Sequence, residues 1–152
     1  MRFFPALAAL ALAFPAIAQE REVPYWATIK AEKLNMRAGP GRDFPIRWVY
    51  KREGLPLKVI RVHEGWRLVE DPEGDEGWVT ANLLSKERGA LVVGEGLAAI
   101  RAAASAGAKI KWNAEPGVVV QLRDCDDGWC RVDVAGRSGF MSAERLWGAG
   151  EL

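Results

Sequence analysis

The chain has 152 residues, with 21 Lys plus Arg against 20 Asp plus Glu and a formal net charge of +1. Both signs are spread along the sequence, which leaves no basic stripe of the kind nucleic acid or an anionic lipid surface calls for. The two cysteines agree with an exported protein, and the length allows one ordinary domain or two very small ones.

The N-terminus carries Arg2, an apolar run over 3–14 broken only by Pro5, and the small-residue triplet Ala16-Ile17-Ala18. This pattern predicts a signal peptide over 1–18, cleaved between Ala18 and Gln19. The run falls short of the ~20 apolar residues of a membrane span, and no cysteine stands at the cleavage point to take a lipid. The mature chain is therefore expected to be exported and periplasmic, with no stable membrane insertion. A polar lead over 19–30 follows.

From there the sequence is a string of short strands punctuated by Gly, Pro and Asp. Leu34 and Met36 alternate with Lys33, Asn35 and Arg37, the period of a half-buried strand. A long loop through Gly39-Pro40-Gly41 and Phe44-Pro45-Ile46 follows, and after it come Trp48 and Tyr50. Leu55, Leu57 and Val59 alternate again, and Trp66 and Leu68 share one face of the next strand. The acidic stretch Asp71-Pro72-Glu73-Gly74-Asp75-Glu76-Gly77 predicts a hairpin loop before Trp78-Val79. A single helical turn is expected over 81–84, then a closing strand over 90–93.

The same pattern returns 62–64 positions later. Ile100-Arg101-Ala102 answers Met36-Arg37-Ala38, Trp112 answers Trp48, Trp129 answers Trp66, and Gly139-Phe140-Met141 answers Gly77-Trp78-Val79. The alanine-rich 98–108 therefore reads as a strand entering a loop rather than a helix. Two copies of a unit this small predict an all-β fold of two tandem small β-barrels, at 31–94 and 95–148, ahead of a short tail at 149–152.

Cys125 and Cys130 bracket Asp126-Asp127-Gly128-Trp129, a tight polar turn between two strand-like runs. Facing positions of such a hairpin come close enough to bridge, which favours a structural disulfide. The spacing is not Cys-x-x-Cys, and no second pair or nearby histidine completes a metal shell.

Leu34-Asn35-Met36-Arg37-Ala38-Gly39-Pro40-Gly41, Glu64-Gly65-Trp66 and Glu76-Gly77-Trp78-Val79 resemble the opening strand, long loop and later strand starts of the bacterial SH3-like (SH3b) family. The resemblance runs from about Ala31 to Trp147 and implies tandem SH3-like barrels. It also implies a non-enzymatic module that recognises a cell-wall component, such as a peptidoglycan peptide. The alternative is an adaptor that docks an envelope protein. Where eukaryotic SH3 domains place a proline and a tyrosine of their polyproline groove, this chain has Thr80 and Leu83, then Ser142 and Arg145, so polyproline recognition is not expected.

The ligand-contact candidates are Trp48, Trp66, Trp129, Tyr50 and Arg37. An indole supplies an apolar face with one donor, suited to a sugar or peptide, although the same tryptophans would serve equally as core. Arg37 could meet a carboxylate or simply stand solvated on its loop. Trp78 and Phe140 read as barrel packing. The acidic loop at 71–76 lacks the closing bidentate glutamate and flanking helices of a calcium loop. His63 has no nucleophile nearby in sequence. No catalytic residue, metal site or cofactor is assigned.

Overall fold

The protein is described by a computed structural model over residues 21–152. The expected leader and its cleavage point between Ala18 and Gln19 lie outside the described residues. The first sheet is built from β1 (Tyr25–Ile29), β2 (Leu34–Arg37), β3 (Ile46–Tyr50), β4 (Pro56–His63), β5 (Trp66–Glu70), β6 (Glu76–Thr80) and β7 (Leu84–Ser85). The second is built from β8 (Gly89–Val92), β9 (Ala98–Arg101), β10 (Ile110–Ala114), β11 (Val119–Asp126), β12 (Trp129–Val134), β13 (Arg137–Ser142) and β14 (Leu146–Trp147). Strand orders are β3-β2-β6-β5-β4-β1-β7 and β10-β9-β13-β12-β11-β8-β14, so the second sheet repeats the first strand for strand. Single 3-10 turns at Ala81–Leu83 and Ala143–Arg145 precede β7 and β14. The all-β tandem architecture expected from the repeat is the one the molecule has.

Two strands sit elsewhere than the repeat pattern suggested. The stretch read as polar lead contains β1, which pairs with β4 and β7 next to one edge of the first sheet. Residues 90–93, read as closing the first unit, fall largely in β8, which pairs with β11 and β14 of the second sheet. Each barrel thus begins one strand before its recognisable motif. Tyr25-Trp26-Ala27-Thr28-Ile29 is rich in aromatic and β-branched residues and has the composition of a strand, masked by its charged neighbours.

Strand alternation sets each core. Leu34, Met36, Leu57, Val59, Val69 and Val79 pack inside the first barrel, and Ile100, Val120, Leu122, Val132, Met141 and Leu146 inside the second. The cores meet, because Leu91, Val119 and Trp147 pack against the first cluster. Across this junction the rings of Trp26 and Trp147 meet edge to face at 4.8 Å, a favourable quadrupolar arrangement. Trp26 Nε1 donates to Gly150 O at 2.6 Å, and Thr28 Oγ1 donates to Glu87 O at 3.0 Å.

Cys125 and Cys130 are bonded, with Cα atoms 4.0 Å apart, and they face each other across the β11–β12 hairpin. The turn between them requires positive φ at Asp127 (47°) and Gly128 (78°), the geometry of a two-residue hairpin loop that glycine and aspartate adopt most readily.

Candidate functional site

On the first barrel, Lys33 just before β2 and Asn35 and Arg37 within it follow one another at alternate positions, as strand alternation dictates. Trp66 at the start of β5, Thr80 at the end of β6, Leu83 in the 3-10 turn and Arg42 from the long loop close around them. Together these residues line an open cleft of about 310 Å³. Its wall carries three cationic side chains and one half-buried indole. Arg37 Nη1 donates to Arg42 O at 2.9 Å and Phe44 O at 2.7 Å, so Arg37 also pins the loop that brings Arg42 to the cleft. The turn before Trp66 is held by Arg67, whose Nη1 donates to Glu64 O and Trp66 O, both at 2.8 Å.

The structure therefore brings together two of the five sequence candidates, Arg37 and Trp66. Trp48 lies apart on edge strand β3 and is 59% exposed. Trp129 occupies the position of Trp66 in the second barrel, but its surroundings differ. Leu97, Ala99 and Ala106 replace Lys33, Asn35 and Arg42. Arg145 stands in the place of Leu83, its guanidinium bound to Val93 O and Gly96 O at 2.7 Å and to Leu97 O at 3.3 Å.

Tyr50 is corrected as a ligand residue. Its side chain is 5% exposed, and its hydroxyl donates to Asp71 Oδ2 at 2.8 Å inside the first core. Burial and the Asp71 carboxylate together push its pKa well above the usual tyrosine range. Asp71 Oδ1 meanwhile accepts from the backbone N–H of Glu73 at 3.0 Å and of Asp75 at 2.9 Å, shaping the acidic turn. Trp78 and Phe140 are also corrected. Both are half-buried and outside the core clusters, Trp78 lying edge-on to His63 at 6.2 Å and Phe140 beneath Arg131 at 5.6 Å.

Sequence reasoning missed Lys33, Asn35, Arg42, Thr80 and Leu83. The alternation of Lys33, Asn35 and Arg37 against Leu34 and Met36 already placed two of them, with Arg37, on one outward face. A larger cleft of about 570 Å³ lies between the barrels, lined by residues of both signs, among them Lys30, Glu53, Arg88 and Asp133, and by no aromatic side chain among the described residues.

Two small antiparallel barrels, packed together and opening surface clefts, define a tandem SH3-like protein. The model of the family described as bacterial SH3 domain matches the chain twice, at residues 30–86 and 94–148. The chain belongs to the bacterial SH3 domain family. It is 22% identical over 147 residues to a protein of Bacillus subtilis (strain 168) named "Putative N-acetylmuramoyl-L-alanine amidase YrvJ", a match covering 90% of this chain and 28% of that protein. Among solved structures, NlpC1 from Trichomonas vaginalis matches over 85% of this chain and 47% of its own, at 13% identity and a TM-score of 0.38. NlpC2 from the same organism matches over 84% and 49%, at 13% identity and a TM-score of 0.39. The chain thus spans less than two thirds of the length of each of these proteins.

Proposed function

We propose that the protein is an exported, non-enzymatic module that recognises a peptidoglycan peptide through the cleft formed by Lys33, Arg37, Arg42 and Trp66. The observation that carries this reading is the meeting of three cations and an indole in one open cleft. Stem peptides present carboxylates on a flexible amide chain. Lys33 and Arg42 would hold a carboxylate by charge-assisted hydrogen bonds, while the Trp66 ring covers the apolar part of the peptide. Membership of the bacterial SH3 family and likeness to part of a protein named as a putative N-acetylmuramoyl-L-alanine amidase support the same class of ligand. The Cys125–Cys130 bond supports an oxidising compartment outside the cytoplasm. Among the described residues no helix is long and apolar enough to cross a membrane.

The test is co-sedimentation of the oxidised protein, without its leader, with purified sacculi. Saturable pelleting is expected, with affinity falling by about tenfold or more in Trp66→Ala. A similar fall is expected in the double variant Lys33→Glu/Arg42→Glu, which alters exposed side chains and leaves the core intact. Pelleting no greater than that of a bystander protein sinks the wall reading. Co-purification of a stoichiometric envelope protein would then put the adaptor reading in its place.

A further inference from the structure

The two barrels differ most where the first is filled from within. Position by position, Tyr50 on β3 corresponds to Ala114 on β10, and Asp71 after β5 corresponds to Val134 at the end of β12. In the first barrel the phenol ring occupies the core and the carboxylate caps it at 2.8 Å. In the second barrel both groups are gone. A cleft of about 450 Å³ opens there, lined by Ile100, Trp112, Ala114, Val118, Val134 and Arg137 among others, a size and apolar character suited to a ligand group.

The charge around it is also reversed. The first barrel's hairpin carries Asp71, Glu73, Asp75 and Glu76, whereas the matching turn of the second is Val134-Ala135-Gly136-Arg137-Ser138. The Arg137 guanidinium lies 5.9 Å from the centre of the Trp112 ring, and Lys111 Nζ lies 4.4 Å from it, held by a 2.7 Å hydrogen bond to Ser138 O. Arg137 thus lines the cleft and Lys111 stands beside its Trp112 wall, whereas the counterpart in the first barrel holds an aromatic ring beside a carboxylate. Among the described residues, Glu115 is the one acidic residue in the lining of the cleft.

We infer that the second barrel is a socket for an aromatic side chain of a partner polypeptide, with a carboxylate on the adjacent residue of that partner. The aromatic ring takes the space Tyr50 fills in the first barrel and rests against Trp112, and the carboxylate meets Arg137 and Lys111 as a charge-assisted pair. The socket is separate from the Trp66 cleft and does not depend on the wall-binding reading.

The experiment titrates the isotope-labelled oxidised protein with an acetylated, amidated Ser-Gly-Phe-Glu-Gly-Ser peptide, following the Trp112 indole N–H and the Ala114 and Val134 signals by NMR. Saturable shifts at these three residues are expected. Affinity should fall by about tenfold when the peptide's Phe is replaced by Ala, and several-fold when its Glu is replaced by Lys. Ala114→Tyr should abolish the shifts by refilling the socket. Should that variant not fold, Arg137→Glu, which alters an exposed side chain, should reverse the preference between the Glu and Lys peptides. Absence of shifts up to about 5 mM peptide, a range that detects even weak association, overturns the proposal. So do shifts that neither variant changes, and so does an equal response to free N-acetylphenylalanine, which would make the occupant a small aromatic acid.

Discussion

Tyr50 and Trp48 stand two positions apart on β3, and alternation gives them the same face, yet one is 5% exposed and the other 59%. Their cross-strand partners, Leu34 and Met36, are both buried, so the partner strand does not separate them; Tyr50 instead packs in the first core and reaches Asp71. Tyr50→Phe removes the donor to Asp71 Oδ2, leaving that carboxylate oxygen without its partner in a residue 4% exposed. The expected cost is about 1–3 kcal/mol, read by urea denaturation at neutral pH. The Tyr50 pKa is raised in the folded state, so its contribution to stability is complete below the ordinary tyrosine value of about 10 and declines as pH rises above it. Wild-type stability should therefore fall more steeply than that of Tyr50→Phe above about pH 10, and parallel pH profiles for the two would refute this. At the Trp66 cleft, sacculus affinity should weaken as salt is raised from ~0.05 to ~0.5 M, because exposed cation–carboxylate pairs are screened. That slope should flatten in Lys33→Glu/Arg42→Glu.

The β11–β12 hairpin shows how one covalent bond can secure one element. Cys125 and Cys130 are a register pair, and the register shift between Leu122 and Cys125 leaves the outer half of β11 less regular than its inner half. A bridge closing so short a loop contributes about 2 kcal/mol on the chain-entropy account. Reduction should lower the unfolding free energy by about that amount and raise amide exchange first in residues 123–130. Equal exchange before and after reduction would show that the hairpin holds without the bond. The matching β4–β5 hairpin of the first barrel has no cysteines and reaches the same topology with Val62 and Arg67 in register. The disulfide is thus an addition to this element rather than a condition for it.

At the scale of the whole molecule the two repeats are packed against one another. Leu91, Val119 and Trp147 from the second half pack on the first core, and Trp26 and Thr28 make hydrogen bonds across the junction. Calorimetry should give a single transition with matching calorimetric and van't Hoff enthalpies. Gly89 opens β8 at the junction between the barrels. A Cβ there would lie 2.7 Å from Gly54 O and 2.9 Å from Thr28 Cγ2, distances that force the barrels apart. Gly89→Ala should split the transition in two or lower its midpoint by several degrees, and an unchanged single transition would show that the junction can absorb the methyl group.

Much of this was legible in the sequence. The repeat offset, the alternation of Leu34 and Met36, and the cysteines flanking a tight polar turn together specify tandem barrels and their bridge, since periodicity and turn chemistry are local properties of the chain. The same alternation set Asn35 and Arg37 facing outward, toward the cleft that Trp66 completes. Strand membership was decided only in three dimensions. Ile29 pairs with Leu84, and Val92 with Leu146, contacts more than fifty residues apart that no local pattern encodes. Depth was decided there too: alternation tells which face a side chain takes but not how far along the barrel it lies. For that reason Tyr50 reads like Trp48 in the sequence and becomes core in the fold, while Ala114 in the matching place leaves an opening.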